Sequence, residues 1–528
     1  MKHLYSKHGL AAAMLASASL LTQPAAAQDS DTLVVARTIA VNSLDPSRAF
    51  CDTCQFYLTA VYETLVTLAP DNKSLVPNLA ESWEVNEDQT EFTFMLKDAT
   101  FADGTPVEAS DVVWTFNRLK NVKGAPSFLM DGLVSAEAVD DKTVKFTVEA
   151  PNSEFLNKVS APYTGIINAE MAEANGATAA EDAAETDKSE SWFLNNSAGS
   201  GPFTLEGYSP DAELRLARND DYWGEAPDFA AVIVTEIKDA VSQAQALETG
   251  QVDIAMQIDP DTAQSIRSPD VVTEVIPSYN FTYVGFVPGS KNGGDKLTKE
   301  VRQALALAID YEGMIDFTVG GNGERQAAPI PNGFPGTAGL TPRAQDVDKA
   351  KQMLADAGVS NLTLVAGYPN DNAYGVDFNI MMQKLQQDFA AVGVELELKP
   401  LTWAVWRDEI ATGEWPITGV YYAPDYYGSG QYVAYFGMIE GYPWTTRASV
   451  GNAELVVNPD TAEAYAAALA ASGDGIDAAY QTLGEQMMDD AIILPLVSPN
   501  LVLAYRNDLE GVRYSACCNL PLAEIMRN

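Results

Sequence analysis

The spacing of apolar residues changes once along this chain of 528 residues, and that change points to a mixed α/β architecture. In the first part the spacing is two. Val144, Phe146 and Val148 alternate with Thr143, Lys145, Thr147 and Glu149, and Phe92, Phe94 and Leu96 repeat the pattern, as do Leu214 and Leu216. Such runs predict strands with one buried face. Ala102-Asp103-Gly104-Thr105-Pro106 carries turn chemistry, with Gly104 free to take a positive φ. Beyond about residue 290 the spacing becomes helical: Val301, Ala304, Leu305, Ala308 and Ile309 recur behind the N-cap candidate Thr298. Ala350, Met353, Leu354 and Ala357 predict a second helix stopped by Gly358, followed by strand-like Leu362, Leu364 and Ala366. Met381, Met382, Leu385, Phe389 and Val392 predict a third, stopped by Gly393 and followed by Val394, Leu396 and Leu398. Helix and strand in alternation are the rhythm of an α/β lobe with a partly parallel sheet. The Met and Phe stripes read as core, and 168–191, rich in Ala, Glu and Asp, reads as a surface helix with a loop.

The start of the chain reads as a leader. Lys2 and Lys7 make it basic, Leu10 to Leu21 is short and apolar, and Ala25-Ala26-Ala27 forms an A-x-A cleavage signal. Cleavage after residue 27 removes both histidines, His3 and His8, so the mature protein works without imidazole. The residue directly after the cleavage site is Gln28 and not Cys, so the expectation is export to the periplasm without a lipid anchor. The remainder is long enough for two to four folded units at about 150 residues each. With 73 Asp+Glu against 32 Lys+Arg, the net charge of −41 repels polyanions, which excludes nucleic acid as a partner. The acids read as a solvated surface.

Four cysteines form two clusters, Cys51-x-x-Cys54 and Cys517-Cys518. In an exported chain an even count implies disulfides, and either a local Cys51 to Cys54 bridge or a tie between the two ends satisfies it. A thioredoxin-like C-x-x-C wants a preceding strand and a helix opening at it; Asp45-Pro46 and Phe50 precede it here, which favours a structural bridge.

Enzyme motifs are missing: there is no G-x-S-x-G, H-E-x-x-H or G-x-x-x-x-G-K-[ST], and Gly320-Gly321-Asn322-Gly323 lacks the spacing of a dinucleotide loop. What the chain does contain is an ordered series of segments. Leu44-Asp45-Pro46, Tyr62-Glu63-Thr64-Leu65, Pro77 to Trp83, Phe101 to Val107 and Asp111-Val112-Val113-Trp114 come first. Gly199-Ser200-Gly201-Pro202-Phe203, Arg218 to Trp223, Leu247 to Ile254, Val301 to Leu305 with Ala308-Ile309-Asp310, and Lys349 to Gly358 follow. In this order they resemble, nearly end to end, the peptide/nickel-binding cluster of ABC-importer solute-binding proteins, family 5, relatives of the dipeptide and oligopeptide binders. The resemblance implies a two-lobed periplasmic binding fold of the class II, cluster C-like type with mixed sheets. Lobe I would comprise 28–286 plus 497–528, enlarged by a β-rich subdomain at about 76–195, and lobe II would comprise 287–496. The hinge crossings would fall near Tyr283 to Phe286 and near Leu494 to Val497.

In peptide-binding relatives an aspartate after a lobe II strand pairs with the peptide amino group, and the matching residue is Asp425 in Val420 to Tyr427; the same aspartate also suits a turn after Pro424. A carboxylate closed into a cleft needs a cation or several donors. Where dipeptide binders hold the ligand carboxylate with an arginine, Tyr368 to Tyr374 has no basic residue, which points to longer peptides or an uncharged ligand. The ligand-facing candidates are therefore Asp425 with Tyr422, Tyr426, Tyr427, Trp403, Trp406 and Tyr374 from lobe II. Phe50 and Thr53 join them from the loop Phe50 to Gln55 of lobe I, where the resemblance places ligand contacts and which a Cys51 to Cys54 bridge would stiffen. The expected function is capture of a small solute, a peptide first and an oligosaccharide second, for delivery to an inner-membrane ABC permease by a monomer. No catalysis, metal or cofactor is expected; nickel or haem is commonly recruited through imidazole or thiolate. An exported hydrolase using two carboxylates is the alternative of another class.

Overall fold

The computed structural model describes residues 31–528, so the expected leader and both histidines lie outside the described residues. Two large mixed sheets organise the chain. The first has seven strands in the order Val271–Ile276, Leu501–Arg506, Ile254–Ala255, Thr32–Arg37, Ala231–Glu236, Glu213–Arg218 and Phe203–Ser209. Thr32–Arg37 runs parallel to both of its neighbours, and the other pairings given for this sheet are antiparallel. The second has six, in the order Gly323–Glu324, Ile493–Pro499, Phe281–Phe286, Ile417–Tyr422, Leu362–Pro369 and Val394–Leu401. Here Leu362–Pro369 and Val394–Leu401 pair in parallel, joined by helix Phe378–Ala391. A right-handed crossover through a helix is how parallel strands are normally connected.

The helices expected from spacing form where the caps direct. The Thr298 hydroxyl accepts from the Val301 N–H to open Lys299–Ala308, and the Asp346 carboxylate opens Val347–Asp356 in the same way. Met381, Met382, Leu385 and Phe389 are all buried, as core residues of Phe378–Ala391.

The first sheet takes strands from both ends of the chain and the second from the middle. Chain crossings lie a few residues from the expected positions, just beyond the ends of two strands of the second sheet. Tyr283 sits opposite Pro495 and Val284 opposite Leu494 inside the second sheet, so the chain passes between the sheets at 277–280 and at Asn500. Every residue of Phe281–Phe286 is buried. A segment covered on both faces belongs at the centre of a sheet rather than at a hinge.

A third, four-stranded antiparallel sheet orders Ala80–Val85, Glu91–Leu96, Thr143–Val148 and Leu133–Ala138. Thr143–Val148 alternates half-buried and buried along its length, as its period-two sequence requires. Helix Ala109–Asn121 covers one face through Val112, Phe116 and Leu119.

The family-like segments converge in space. Glu63 is buried and accepts from the Ser200 hydroxyl, the Tyr222 hydroxyl and the Trp223 indole N–H at 2.8, 2.9 and 2.8 Å, tying three of the segments together. Gly199 and Gly201 lie against Val61; a Cβ on Gly199 would stand 2.0 Å from the Val61 carbonyl oxygen, so only glycine allows the approach. Nearby, Arg118 is fully buried and pairs with Asp45 at 2.6 Å and Asp187 at 3.0 Å. Residues 168–191 therefore differ from the surface helix expected: they form three short helices, Ala169–Ala174, Ala183–Thr186 and Glu190–Phe193, and bury Asp187 and Ser189 against Arg118. The acidic composition concealed one structural anion among solvated ones.

Candidate functional site

Between helix Asp52–Val61 and the six-stranded sheet lies a cavity of about 330 Å³. One wall is the start of helix Asp52–Val61, which replaces the loop expected at Phe50 to Gln55. Cys51 caps this helix and forms a disulfide with Cys54. A helix does open at the C-x-x-C segment, but turns rather than a strand lead into it. Cys517 and Cys518 are buried free thiols and do not tie the two ends together. The opposite wall is the end of Ile417–Tyr422 and the turn after it, with helix Trp403–Ala411 and helix Pro443–Ser449 beside it.

Asp425 is the pivot of the second wall. It is 2 % exposed, and its carboxylate accepts from the Gln55 side-chain amide at 2.8 Å and the Tyr422 hydroxyl at 3.0 Å. The Tyr163 hydroxyl adds a further donor. None of these partners carries a charge, and among the described residues no cation pairs with Asp425. Burial consequently pushes its carboxyl up to about 7, against the pull of the Tyr422, Tyr163 and Gln55 hydrogen bonds. Gln55 spends its N–H groups on Asp425 and on the Pro424 carbonyl, which leaves its Oε1 buried without a partner. A carboxylate and an amide oxygen side by side, with neutral surroundings, form a receptor for a hydrogen-rich cation. Asp425 does not cap its own turn. That task falls to Gln431, whose Oε1 accepts from the Asp425 N–H.

Aromatic rings fill the rest of the lining. Phe50 stands among Tyr163, Tyr435 and Tyr422, with centroids 5.2, 5.4 and 6.4 Å away. Trp403 stacks on Tyr421 at 5.8 Å and keeps an unpartnered indole N–H. Trp406 donates to the Thr418 hydroxyl at 2.8 Å, fixing its ring. The cavity thus brings together Asp425, Tyr422, Trp403, Trp406 and Phe50 of the expected residues.

The other four lie elsewhere. Thr53 is fully buried, its hydroxyl accepting from the Ala40 N–H on the far side of the helix. Tyr374 borders a gap of about 10 Å³ behind the Arg37–Asp52 ion pair. Tyr426 is sealed beside Glu154, and Tyr427 reaches the Gly333 carbonyl and packs on Phe334. Successive residues of one turn point in different directions, so the run Tyr426-Tyr427 does not share the environment of Asp425. Sequence reasoning missed Tyr163, Tyr435 and Arg447, which also line the cavity. Arg447 belongs to no motif; its only signal was a cation within a stretch rich in aromatics.

Among the described residues no cluster of three or more His, Cys, Asp or Glu side chains is placed to hold a metal ion, and no helix is long and apolar enough to cross a membrane.

Comparison with known proteins follows the same lines. Residues 74–439 match bacterial extracellular solute-binding proteins, family 5 (middle). The chain is 28% identical over 494 residues to the probable D,D-dipeptide-binding periplasmic protein DdpA of Escherichia coli K12, covering 92% of each. It is 26% identical over 382 residues to the dipeptide-binding protein of the same organism, covering 67% of this chain and 68% of that one. Among solved structures, the periplasmic binding protein DppA of Helicobacter pylori, in complex with the peptide STSA, superposes with a TM-score of 0.81 at 20% identity over 94% of this chain and 98% of that one. A dipeptide-binding protein from Pseudoalteromonas sp. SM9913, in complex with Met-Leu, gives 0.80 at 19% identity over 94% and 100%. The chain belongs to the bacterial extracellular solute-binding proteins of family 5.

Proposed function

We propose that this protein captures peptides in the cavity between its lobes and delivers them to the permease of an ABC importer, without altering them chemically. The observation that carries the reading is Asp425, a buried carboxylate supported by neutral donors and lacking a cation of its own. A peptide α-ammonium supplies that charge with three N–H donors, which suit the Asp425 carboxylate and the free Gln55 oxygen. Tyrosine and tryptophan faces accept side chains or backbone with little demand on sequence. Asp52, the other carboxylate at the cavity, is already neutralised by Arg37 at 2.5 Å, which leaves no second free acid for hydrolytic chemistry. Export to the periplasm and operation as a monomer complete this reading, as the leader-like start and the periplasmic relatives support.

Lobe closure is part of the same proposal. The walls meet where Gln55 of one touches Asp425 of the other, so a ligand bridging them favours the closed form by its differential affinity. The test is to purify the protein from its own compartment and identify the released solute by native mass spectrometry, then to measure Asp425→Asn by calorimetry. The expected result is a peptide, with trialanine binding weakened by about 30-fold or more in the variant and N-acetyl-trialanine little changed. Release of a carbohydrate, or equal losses for both probes, overturns the reading.

A further inference from the structure

The turn that carries Asp425 is held at both ends by residues from the other part of the chain. At its start the Gln55 side-chain amide donates to the Asp425 carboxylate at 2.8 Å and to the Pro424 carbonyl at 3.3 Å. At its end the Glu154 carboxylate accepts from the Gly430 N–H at 3.0 Å. Glu154 comes before the crossing at 277–280, whereas Gly430 lies between the two crossings. Gln431 joins the two ends, accepting from the Asp425 N–H at 2.8 Å and donating to the Gly428 carbonyl at 3.1 Å. A pull on Gly430 is therefore felt at Asp425.

Glu154 sits in a seat shaped for it. The residue is buried, and Gly428 comes so close that a Cβ there would stand 2.2 Å from the Glu154 Oε2. The hydroxyls of Tyr426 and Tyr480 are buried against the same carboxylate and have no hydrogen-bond partner elsewhere among the described residues. The Gly430 carbonyl accepts from the Tyr465 hydroxyl at 3.1 Å, and beside it the Ser153 N–H donates to the Leu469 carbonyl at 2.9 Å. Beyond these contacts the seam opens into a cleft of about 270 Å³, lined by Asn152 and Lys158 on one side and by Tyr442 and Leu469 on the other. Few groups join the two parts of the chain here, so the loss of one should be felt.

We infer that Glu154 is a positioning residue for ligand capture, a latch that closes under the Asp425 turn, fixes it in place and slows release of the bound solute. This rests on the closure reading above. A solute first meets the open form, in which Glu154 and Gly430 are apart, so the latch adds nothing to association. Once the lobes have closed, opening must break these hydrogen bonds in a seam that water has not yet entered. The same chemistry keeps the latch reversible, because drying a carboxylate among neutral donors is costly. Burial raises the Glu154 carboxyl, and the Gly430 N–H, Tyr480, Lys158 and Tyr426 offset that by lowering it.

The experiment follows trialanine by stopped flow on the full protein, in the wild type and in Glu154→Ala, Glu154→Gln and Tyr480→Phe, and measures hydrogen exchange of the Gly430 amide without ligand. Glu154→Ala should release trialanine about 10-fold faster or more, with an association rate within about two-fold of the wild type. Glu154→Gln, whose amide oxygen can still accept from the Gly430 N–H, should recover most of that loss. Tyr480→Phe should release trialanine about 3-fold faster, and it keeps the test open if Glu154→Ala fails to fold. Exchange at Gly430 should quicken by about 10-fold in Glu154→Ala. An unchanged release rate, an association rate that falls with it, a loss that Glu154→Gln does not recover, or unchanged exchange at Gly430 overturns the inference and leaves the peptide reading standing. Failure of trialanine to bind the wild type overturns the peptide reading alone, and the exchange at Gly430 then decides the latch.

Discussion

Asp187 and Asp425 are both buried aspartates of one chain, and their surroundings have opposite chemistry. Asp187 and its neighbour Asp45 face Arg118 and Arg48, an arrangement of two carboxylates and two guanidiniums with contacts of 2.6 to 3.1 Å. Burial works to raise the Asp187 carboxyl, yet the Arg118 guanidinium and its hydrogen bonds pull it down to about 2. Asp425 has hydrogen bonds but no cation, and burial takes it up to about 7. A charge that serves the fold comes with its partner. A charge that serves a ligand waits for one, and the protein tolerates the cost of holding it.

The sharpest way to break this comparison is to remove a cation from the first region. Arg118→Met leaves Asp45 and Asp187 facing each other in the core with only Arg48, itself partly exposed, to balance them. Breaking a buried pair from one side costs about 3–5 kcal/mol. Urea unfolding at pH 7 should show that loss in the midpoint, with the slope unchanged. A loss under about 1 kcal/mol would mean that burial, not pairing, sets the behaviour of these acids.

The second region should respond in the opposite sense. Because the Asp425 pKa is raised, the folded protein keeps a proton between about pH 4 and pH 7 that the unfolded chain has released. Its stabilising contribution is complete below about pH 4 and is lost as the pH rises through 7. The span is on the order of 4 kcal/mol for an empty closed cleft. Asp425→Asn should flatten that part of the profile in thermal melts across this range and leave some slope from Glu154, which burial also raises. Peptide binding should release a proton near neutral pH, read as a dependence of calorimetric heat on the buffer's ionisation enthalpy. A buffer-independent heat would break the assignment of the ammonium to Asp425.

How much of this was legible in the sequence depends on whether the signal is periodic. Thr143–Val148 and Phe378–Ala391 follow from spacing alone, because burial of one face is enough to define them. Gly199 and the turn at Gly104 follow from backbone sterics, which act residue by residue. The hinge crossings were displaced because Phe281–Phe286 and Ile493–Pro499 are apolar on both faces and carry no phase to say where a sheet ends. Asp425, Tyr422 and Phe50 were found through the resemblance to a family. Arg447 and Tyr163 reach the cavity from elements far apart in sequence, and no local pattern announces a meeting of that kind.

Glu63 refines the comparison. Like Asp425 it is buried and held by neutral donors, and burial raises its carboxyl while Trp223, Ser200 and Tyr222 lower it. Its oxygens are occupied by donors, as those of Asp425 are, but Glu63 is not among the residues lining the cavity between the walls, and its donors come from the segments it ties together. Absence of a touching cation is therefore not enough to mark a site; a cavity must face the charge. Glu63→Gln turns one acceptor into an N–H that opposes a hydroxyl or an indole. The expected loss is about 1–2 kcal/mol in urea unfolding, with peptide affinity unchanged. A loss of affinity would place Glu63 in the ligand-sensing machinery and blur the distinction.

The smallest effect belongs on the surface. Lys145 and Glu91 pair across adjacent strands at 2.7 Å, shorter than the Arg118–Asp187 contact, with side chains about a third and nearly half exposed. If distance governed the strength of a charge pair, Glu91→Gln would rival Arg118→Met. Solvent screening and the freedom of two long side chains argue otherwise, and exposed pairs contribute about 0.2–1 kcal/mol. The variant should unfold within that margin of the wild type, and the difference should vanish in about 1 M salt, where the screening length falls to about 3 Å. A larger, salt-resistant loss would show that even the exposed faces of this acidic protein depend on the few cations they hold, so compensation rather than burial would be the general rule across both regions.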